Sequence, residues 1–251
     1  MLISFKQEIY KFRHENIALY GLIILIVTMI YNFFTKTITR QSLDYGFGAI
    51  EWIPLIVITV ASAIFSMEYK NNTIIMLEYK TSHKFQIYFA KFLVVLIYSF
   101  FLTVIAFLLT LILSMFFNAT RYDCLVNQKG QILLNNLLIN LAGALIYSFF
   151  SIGLSFMLIM LVKNNAIVVC FGIVLAFFGA SFSKGLMQTF PHFISTIKWN
   201  FLNMTFISQQ LSNPSLSLKS HLSSLELIIA NIIYGIIFMV LGYYLFKHRR
   251  V

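Results

Sequence analysis

Long apolar runs separated by polar connections organise this chain. The runs lie at about residues 17–34, 52–67, 88–117, 136–162, 166–183 and 227–246. A helix rises about 1.5 Å per residue and a bilayer core is about 30 Å thick, so roughly 20 residues suffice for a crossing. The pattern predicts six transmembrane helices. The third and fourth runs exceed that length and are expected to tilt or to project beyond the bilayer. Residues 1–16 follow another rhythm. Leu2, Phe5, Ile9 and Phe12 recur on one helical face, Glu8, Lys11, His14 and Glu15 occupy the other, and Lys6 and Arg13 flank the apolar stripe. That spacing predicts an amphipathic helix lying at the membrane interface.

Composition fixes the class. Of 251 residues, 60% are apolar and only 10% charged, whereas soluble domains carry about 25% charged residues. The expected fold is an all-α integral membrane protein forming a single transmembrane domain. The first apolar run has no small-residue cleavage site ahead of it and is expected to stay as an anchor. Two cysteines, Cys124 and Cys170, give no disulfide framework. A bias towards Lys, Ile, Asn, Phe and Tyr leans towards a bacterium with AT-rich codons, and hence towards a bacterial cell membrane.

The net charge of +10 is explained by topology and needs no nucleic-acid partner. With the amino terminus inside, Lys6, Lys11, Arg13, Lys70, Lys80, Lys84, Lys91, Lys163, Lys247, Arg249 and Arg250 all fall on the cytoplasmic side. The seven remaining basic residues spread over longer external loops. The positive-inside rule therefore predicts that both termini are cytoplasmic. The longest external segment, about 184–226, contains Phe190-Pro191-His192-Phe193-Ile194 and the apolar stretch from Trp199 to Ile207. Irregular backbone at membrane depth must be shielded by protein, so this segment is expected to re-enter the outer leaflet or to cap the bundle.

The search for chemistry is mostly negative. The chain has no phosphate-binding G-x-x-x-x-G-K-[ST] loop, no H-E-x-x-H, no metal-spaced Cys/His group and no G-x-S-x-G elbow. No catalytic or metal-binding residue is expected. Charges are nearly missing from the spans, which weighs against a carrier or channel built on intramembrane ions. Two hydroxyl-rich stripes remain. Thr59, Ser62 and Ser66 share a face of the second span. Asn140, Ala144, Tyr147, Ser151 and Ser155 share an arc of the fourth, with Ser148 at its edge. Thr59, Ser62, Asn140, Tyr147, Ser148, Ser151 and Ser155 can line a substrate path or act as interhelical glue. Small-residue faces in the fifth span (Gly172, Ala176, Gly179) and the sixth (Gly235, Gly242) point to close helix packing.

Between the second and third spans lies a charged interruption at residues 68–87. It opens with Glu68-Tyr69-Lys70-Asn71-Asn72-Thr73, continues through an apolar run from Ile74 to Leu77, then reaches Glu78, Tyr79, Lys80, Ser82, His83 and Lys84. This layout resembles the export permease of type-2 ATP-binding-cassette transporters, in the group that exports bacitracin, lantibiotics and other amphipathic peptides. Asn72 stands where that group usually has Gly, and His83 where it often has Arg. The resemblance implies a coupling helix near Ile74–Tyr79 seated on a separate cytosolic ATPase. Met76, Leu77 and Tyr79 would form its apolar anchor, and Lys70, Glu78, Lys80 and Lys84 its polar rim. It also implies ATP and Mg on that partner and no cofactor on this chain. A second permease subunit and an amphipathic peptide cargo, phenol-soluble modulins or lantibiotics foremost, follow from the same likeness. The rival readings are an ATPase-independent carrier or channel and a non-transporting assembly factor.

Overall fold

A computed structural model of the chain describes residues 2–35, 40–70, 84–117 and 133–248. Those residues form helices and turns, with no strand among them. Helix α1 (Leu2–His14) precedes six long apolar helices: α2 (Asn16–Thr35), α3 (Ala49–Lys70), α4 (Lys84–Phe117), α5 (Leu133–Val162), α6 (Asn165–Thr189) and α7 (Ser224–Lys247). Each of the six is long and apolar enough to cross a membrane, so the expected all-α membrane fold is the observed one. An even number of crossings returns both ends of the chain to one side, here called the α1 end; the opposite side is the cap end.

The six helices are not equivalent. The most apolar stretch of α3 is 78% buried, whereas that of α2 is only 17% and those of α6 and α7 are 28%. Helix α3 is therefore the axis of the bundle. Ile50, Ile53, Val57, Val60, Ala61 and Phe65 run along it with almost no exposure. Helix α5 is the second pillar and packs on α3, α4, α6 and α7. The outer faces carry exposed apolar side chains such as Val27, Phe101, Phe178 and Ile233. A bilayer solvates these at no cost, so they need no protein partner.

Close approach between α5 and α7 depends on missing side chains. A Cβ added to Gly153 would lie 2.6 Å from the Gly235 carbonyl oxygen. Only glycine at that crossing lets the two backbones touch, and in lipid this contact substitutes for a hydrophobic driving force. The chain enters α3 through a left-handed turn. Gly46 (φ 54°), Phe47 (φ 50°) and Gly48 (φ 89°) all have positive φ. Asn32 on α2 donates to the Phe47 carbonyl at 3.1 Å and fixes that turn. Helices α5 and α6 are joined by Lys163 and Asn164 alone. Lys163 takes a positive φ of 58°, and the Asn164 side chain caps α6 by accepting from the Ala166 amide at 3.0 Å.

Beyond α6 the chain makes short helical turns at Pro191–Phe193, Ile194–Ile197, Phe201–Phe206, Ile207–Gln210, Pro214–Leu216 and Ser217–Ser220. This segment lies across α5, α6 and α7. Asn203, Met204, Ile207, Gln210 and Ser220 are fully buried there. Neutral amides satisfy its irregular backbone. Asn203 donates to the carbonyls of Lys198 (2.7 Å) and Ser220 (2.8 Å). Gln210 donates to the Leu222 carbonyl at 2.8 Å. Ser223 and Glu226 then start α7 with a reciprocal capping box.

Candidate functional site

The 34 residues of α4 span about 50 Å, well beyond a bilayer core. Its first turns therefore stand at the α1 end, beside the last turn of α3. Residues 71–83, which join the two helices, lie outside the described residues. Asn71, Asn72, Thr73, Met76, Leu77, Glu78, Tyr79, Lys80, Ser82 and His83 belong to that stretch. Glu68, Tyr69, Lys70 and Lys84 are described, and all are helical. They continue α3 and α4 instead of opening a loop.

The stem of this connection is clamped by buried charges. Lys91 on α4 is fully enclosed. Its ammonium donates to Glu68 Oε1 on α3 at 2.6 Å and to Glu8 Oε2 on α1 at 2.7 Å. Lys11 on α1 closes the ring, donating to Glu68 Oε1 at 3.1 Å and lying 3.5 Å from Glu8 Oε1. The Phe65 ring stands 5.6 Å from the Lys91 ammonium, close enough for a cation–π contact. Two carboxylates thus face two ammonium groups, and the formal charges cancel. The void between them is about 10 Å³, and a water molecule needs about that much space at the least. Such a cluster is held by its own geometry, because buried charge is tolerable only when paired and hydrogen-bonded.

Burial disfavours the charged form of Lys11, but the Glu8 and Glu68 carboxylates outweigh it and raise the ammonium above the ordinary lysine value. Glu15, just past α1, borders the same void. Burial raises its pKa, and the Glu68 and Glu8 charges push in the same direction against Lys91.

The cluster revises the expected face of α1. The stripe Leu2, Phe5, Ile9 and Phe12 predicts that Glu8 points to solvent, yet Glu8 is buried and Ile9 is 40% exposed. Helix α1 packs on α4 through Glu8 and Phe12. The Phe12 ring meets Tyr98 edge-on at 5.2 Å between centroids. A buried lysine demands a carboxylate, and that demand outranks the apolar period. Glu68 is likewise buried and Tyr69 half-buried. The Tyr69 hydroxyl donates to Met160 Sδ on α5 at 3.1 Å. Lys91 carried one sequence signal: it is a single cation among Phe89, Ala90, Phe92 and Leu93, a pattern that calls for a partner.

The hydroxyl stripes meet inside the bundle. Ser62 on α3 donates to Asn165 Oδ1 on α6 and to the Thr59 carbonyl. Ser155 on α5 donates to the Ile58 carbonyl of α3 at 3.2 Å. Asn140 donates to the Asp44 carbonyl at 2.9 Å. Thr59 and Ser148 bond within their own helices. Ser62, Asn140, Ser148, Ser151 and Ser155 have essentially no exposure, and of these Ser62, Asn140 and Ser155 bond other segments of the chain. Tyr147 borders a cavity at the cap end.

Against known proteins, a family model described as "ABC-2 family transporter protein" matches residues 4–179. The matched stretch takes in most of α1, all of α2 to α5 and the first half of α6, including every member of the ionic cluster. No curated protein and no solved structure is matched by the chain.

Proposed function

The chain belongs to the family of ABC-2 transporter proteins, and we propose that it is the permease subunit of a bacterial exporter that moves amphipathic peptides out of the cell. Membership makes it a transport component of the membrane whose partner is an ATP-binding-cassette subunit; the cargo, the bacterial cell membrane and the pairing with a second permease are inferred. In this proposal both termini are cytoplasmic, and residues 71–83 meet the ATPase.

The ionic cluster is the observation that carries this reading. A push delivered at residues 71–83 arrives at the last turn of α3 and the first turn of α4. Lys91 binds both stems to each other and to α1 through Glu68 and Glu8. The three helices therefore tilt as one body. Because α3 is the axis of the bundle, its tilt repacks α5 and α6 and exchanges inward for outward access. ATP and Mg belong to the partner.

Detergent co-purification with a candidate ATP-binding-cassette subunit tests the proposal. Leu77→Asp and the double variant Lys70→Glu/Lys84→Glu are expected to lose the ATPase while keeping a folded permease. If the unaltered chain retains no ATPase, the exporter reading fails and an ATPase-independent carrier takes its place.

A further inference from the structure

At the α1 end, an apolar groove of about 570 Å³ runs between α1, the start of α2 and α4. Tyr98, buried, and Phe12, half-buried, form its floor in edge-on contact with each other. The Tyr98 hydroxyl donates to the Ala18 carbonyl at 2.8 Å, which ties the floor to α2. Leu19, Ile97 and Phe101 form walls that are exposed in the chain alone. From Val94 to Phe101 the α4 wall extends about 10 Å, a third of the ~30 Å thickness of a bilayer core. The groove therefore opens sideways into one leaflet, where hydrocarbon fills it instead of water.

The polar end of the groove carries both signs of charge. Arg13, exposed, and Glu15, half-buried, line it. Among the described residues neither side chain makes a hydrogen bond or an ion pair, and the two do not pair with each other. Lys11 and Lys91 are already held by Glu8 and Glu68. Burial, helped by the Glu68 and Glu8 charges, disfavours the Glu15 carboxylate. A cation beside Glu15 would offset that penalty, and an anion beside Arg13 would pair the guanidinium. The shape narrows the choice of occupant. An α-helical peptide is about 10–12 Å across and would overfill this volume over that length, whereas the extended acyl chains of a lipid fit.

We propose that this groove is a binding site for one aminophospholipid, with its acyl chains against Tyr98 and Ile97, its phosphate on Arg13 and its ammonium on Glu15. An apolar groove alone accepts any lipid; the opposed, unpaired charges at its end select a zwitterionic headgroup that can donate hydrogen bonds. Seated there, the lipid braces α1 against α2 and α4 beside the ionic ring. The site goes beyond the exporter proposal and does not depend on it.

The test is native mass spectrometry of the full chain in a neutral maltoside detergent, titrated with phosphatidylethanolamine, phosphatidylcholine or phosphatidylglycerol. One phosphatidylethanolamine is expected to be retained more tightly than either of the others. Arg13→Gln should weaken it by about fivefold, the scale of an exposed ion pair. Glu15→Gln should reduce phosphatidylethanolamine to the affinity of phosphatidylcholine. Ile97→Trp fills the groove and should abolish retention, while Lys247→Gln, at the same end but on α7, should change nothing. An amphipathic helical peptide is expected not to displace the lipid; displacement that depends on Arg13 makes the groove a cargo site and overturns the assignment. Equal retention of phosphatidylethanolamine and phosphatidylcholine, tighter retention of phosphatidylglycerol, full affinity in Arg13→Gln, or a preference that survives in Glu15→Gln also overturns it. Arg13 and Glu15 bond nothing within the fold, so these variants keep the helices intact. Lipid retention is read without the ATPase, so its failure and the failure of co-purification are separate results.

Discussion

The two ends of the bundle solve one problem with different chemistry. At each, polar groups must be held where water is scarce. The α1 end uses formal charge: Glu8, Lys11, Glu68 and Lys91 neutralise one another across three helices. The cap end uses neutral amides: Asn200, Asn203, Gln210 and Asn231 bind backbone carbonyls of the turns. An amide network fixes backbone that has no helix to satisfy it, and a single amide such as Asn203 ties two separate carbonyls together. An ionic ring ties side chains of whole helices, and its attraction outlasts small displacements. The end proposed to receive a mechanical push has the ring; the opposite end has the rigid lid.

The largest expected effect comes from breaking the ring on one side only. Lys91→Met leaves two carboxylates buried without their cation, and losing one partner of such a pair costs about 3–5 kcal/mol. The yield of monodisperse protein and its melting temperature should both drop sharply. The triple variant Glu8→Gln/Glu68→Gln/Lys91→Met removes all the buried charge except its Lys11 neighbour and should recover much of that stability. If the triple is as unstable as the single, the clamp is not electrostatic. The triple also sharpens the comparison, because an intact permease without the ring should bind its ATPase yet respond weakly to it in transport.

A smaller loss is expected at the lid. Asn203→Ala strands the carbonyls of Lys198 and Ser220, at about 1–3 kcal/mol for the unsatisfied groups. Thermal unfolding should show it, and hydrogen exchange should localise it to the capping turns. Gly153→Leu tests the helix crossing common to both ends. Overpacking of this kind typically costs about 1–3 kcal/mol, and the measured change in melting temperature should fall in the range of Asn203→Ala.

The smallest effect is pH-dependent and belongs to the α1 end. Burial raises the Glu15 pKa in the folded chain, so the fold binds this proton more tightly than the unfolded chain does. The favourable contribution is present below the ordinary carboxylate value of about 4.3 and is lost as pH rises through the folded value. Glu15→Gln should therefore be more stable than the parent at pH 7, with the gap closing as pH falls. Lys11 behaves differently. Its raised pKa gives a contribution fully present below about 10.4 and lost only as pH climbs past the folded value. As pH falls from neutrality Lys11 should stay silent while Glu15 responds, which melting curves of each variant would resolve.

How much was legible beforehand differs between these regions. The six spans follow from continuous apolar runs, a signal that needs no partner because lipid rewards it directly. The face of α1 was not legible. Its period places Ile9 inward and Glu8 outward, and nothing within sixteen residues says that a lysine 83 positions later will call Glu8 in. The hydroxyl arc of α5 could be read as path or as packing, and only its meeting with Ile58 and Asp44 of other segments ties Ser155 and Asn140 to packing.

The sequence by itself determined that this chain lives in a bilayer, how often it crosses, and that a charged connection divides the second span from the third. Those properties are sums over neighbouring residues, and hydropathy adds along the chain. Which charges are buried, which glycines touch and which hydroxyls bond across helices were decided only by the tertiary structure. Each depends on groups far apart in sequence, and the energy of a buried charge or polar group is set by its neighbours in space.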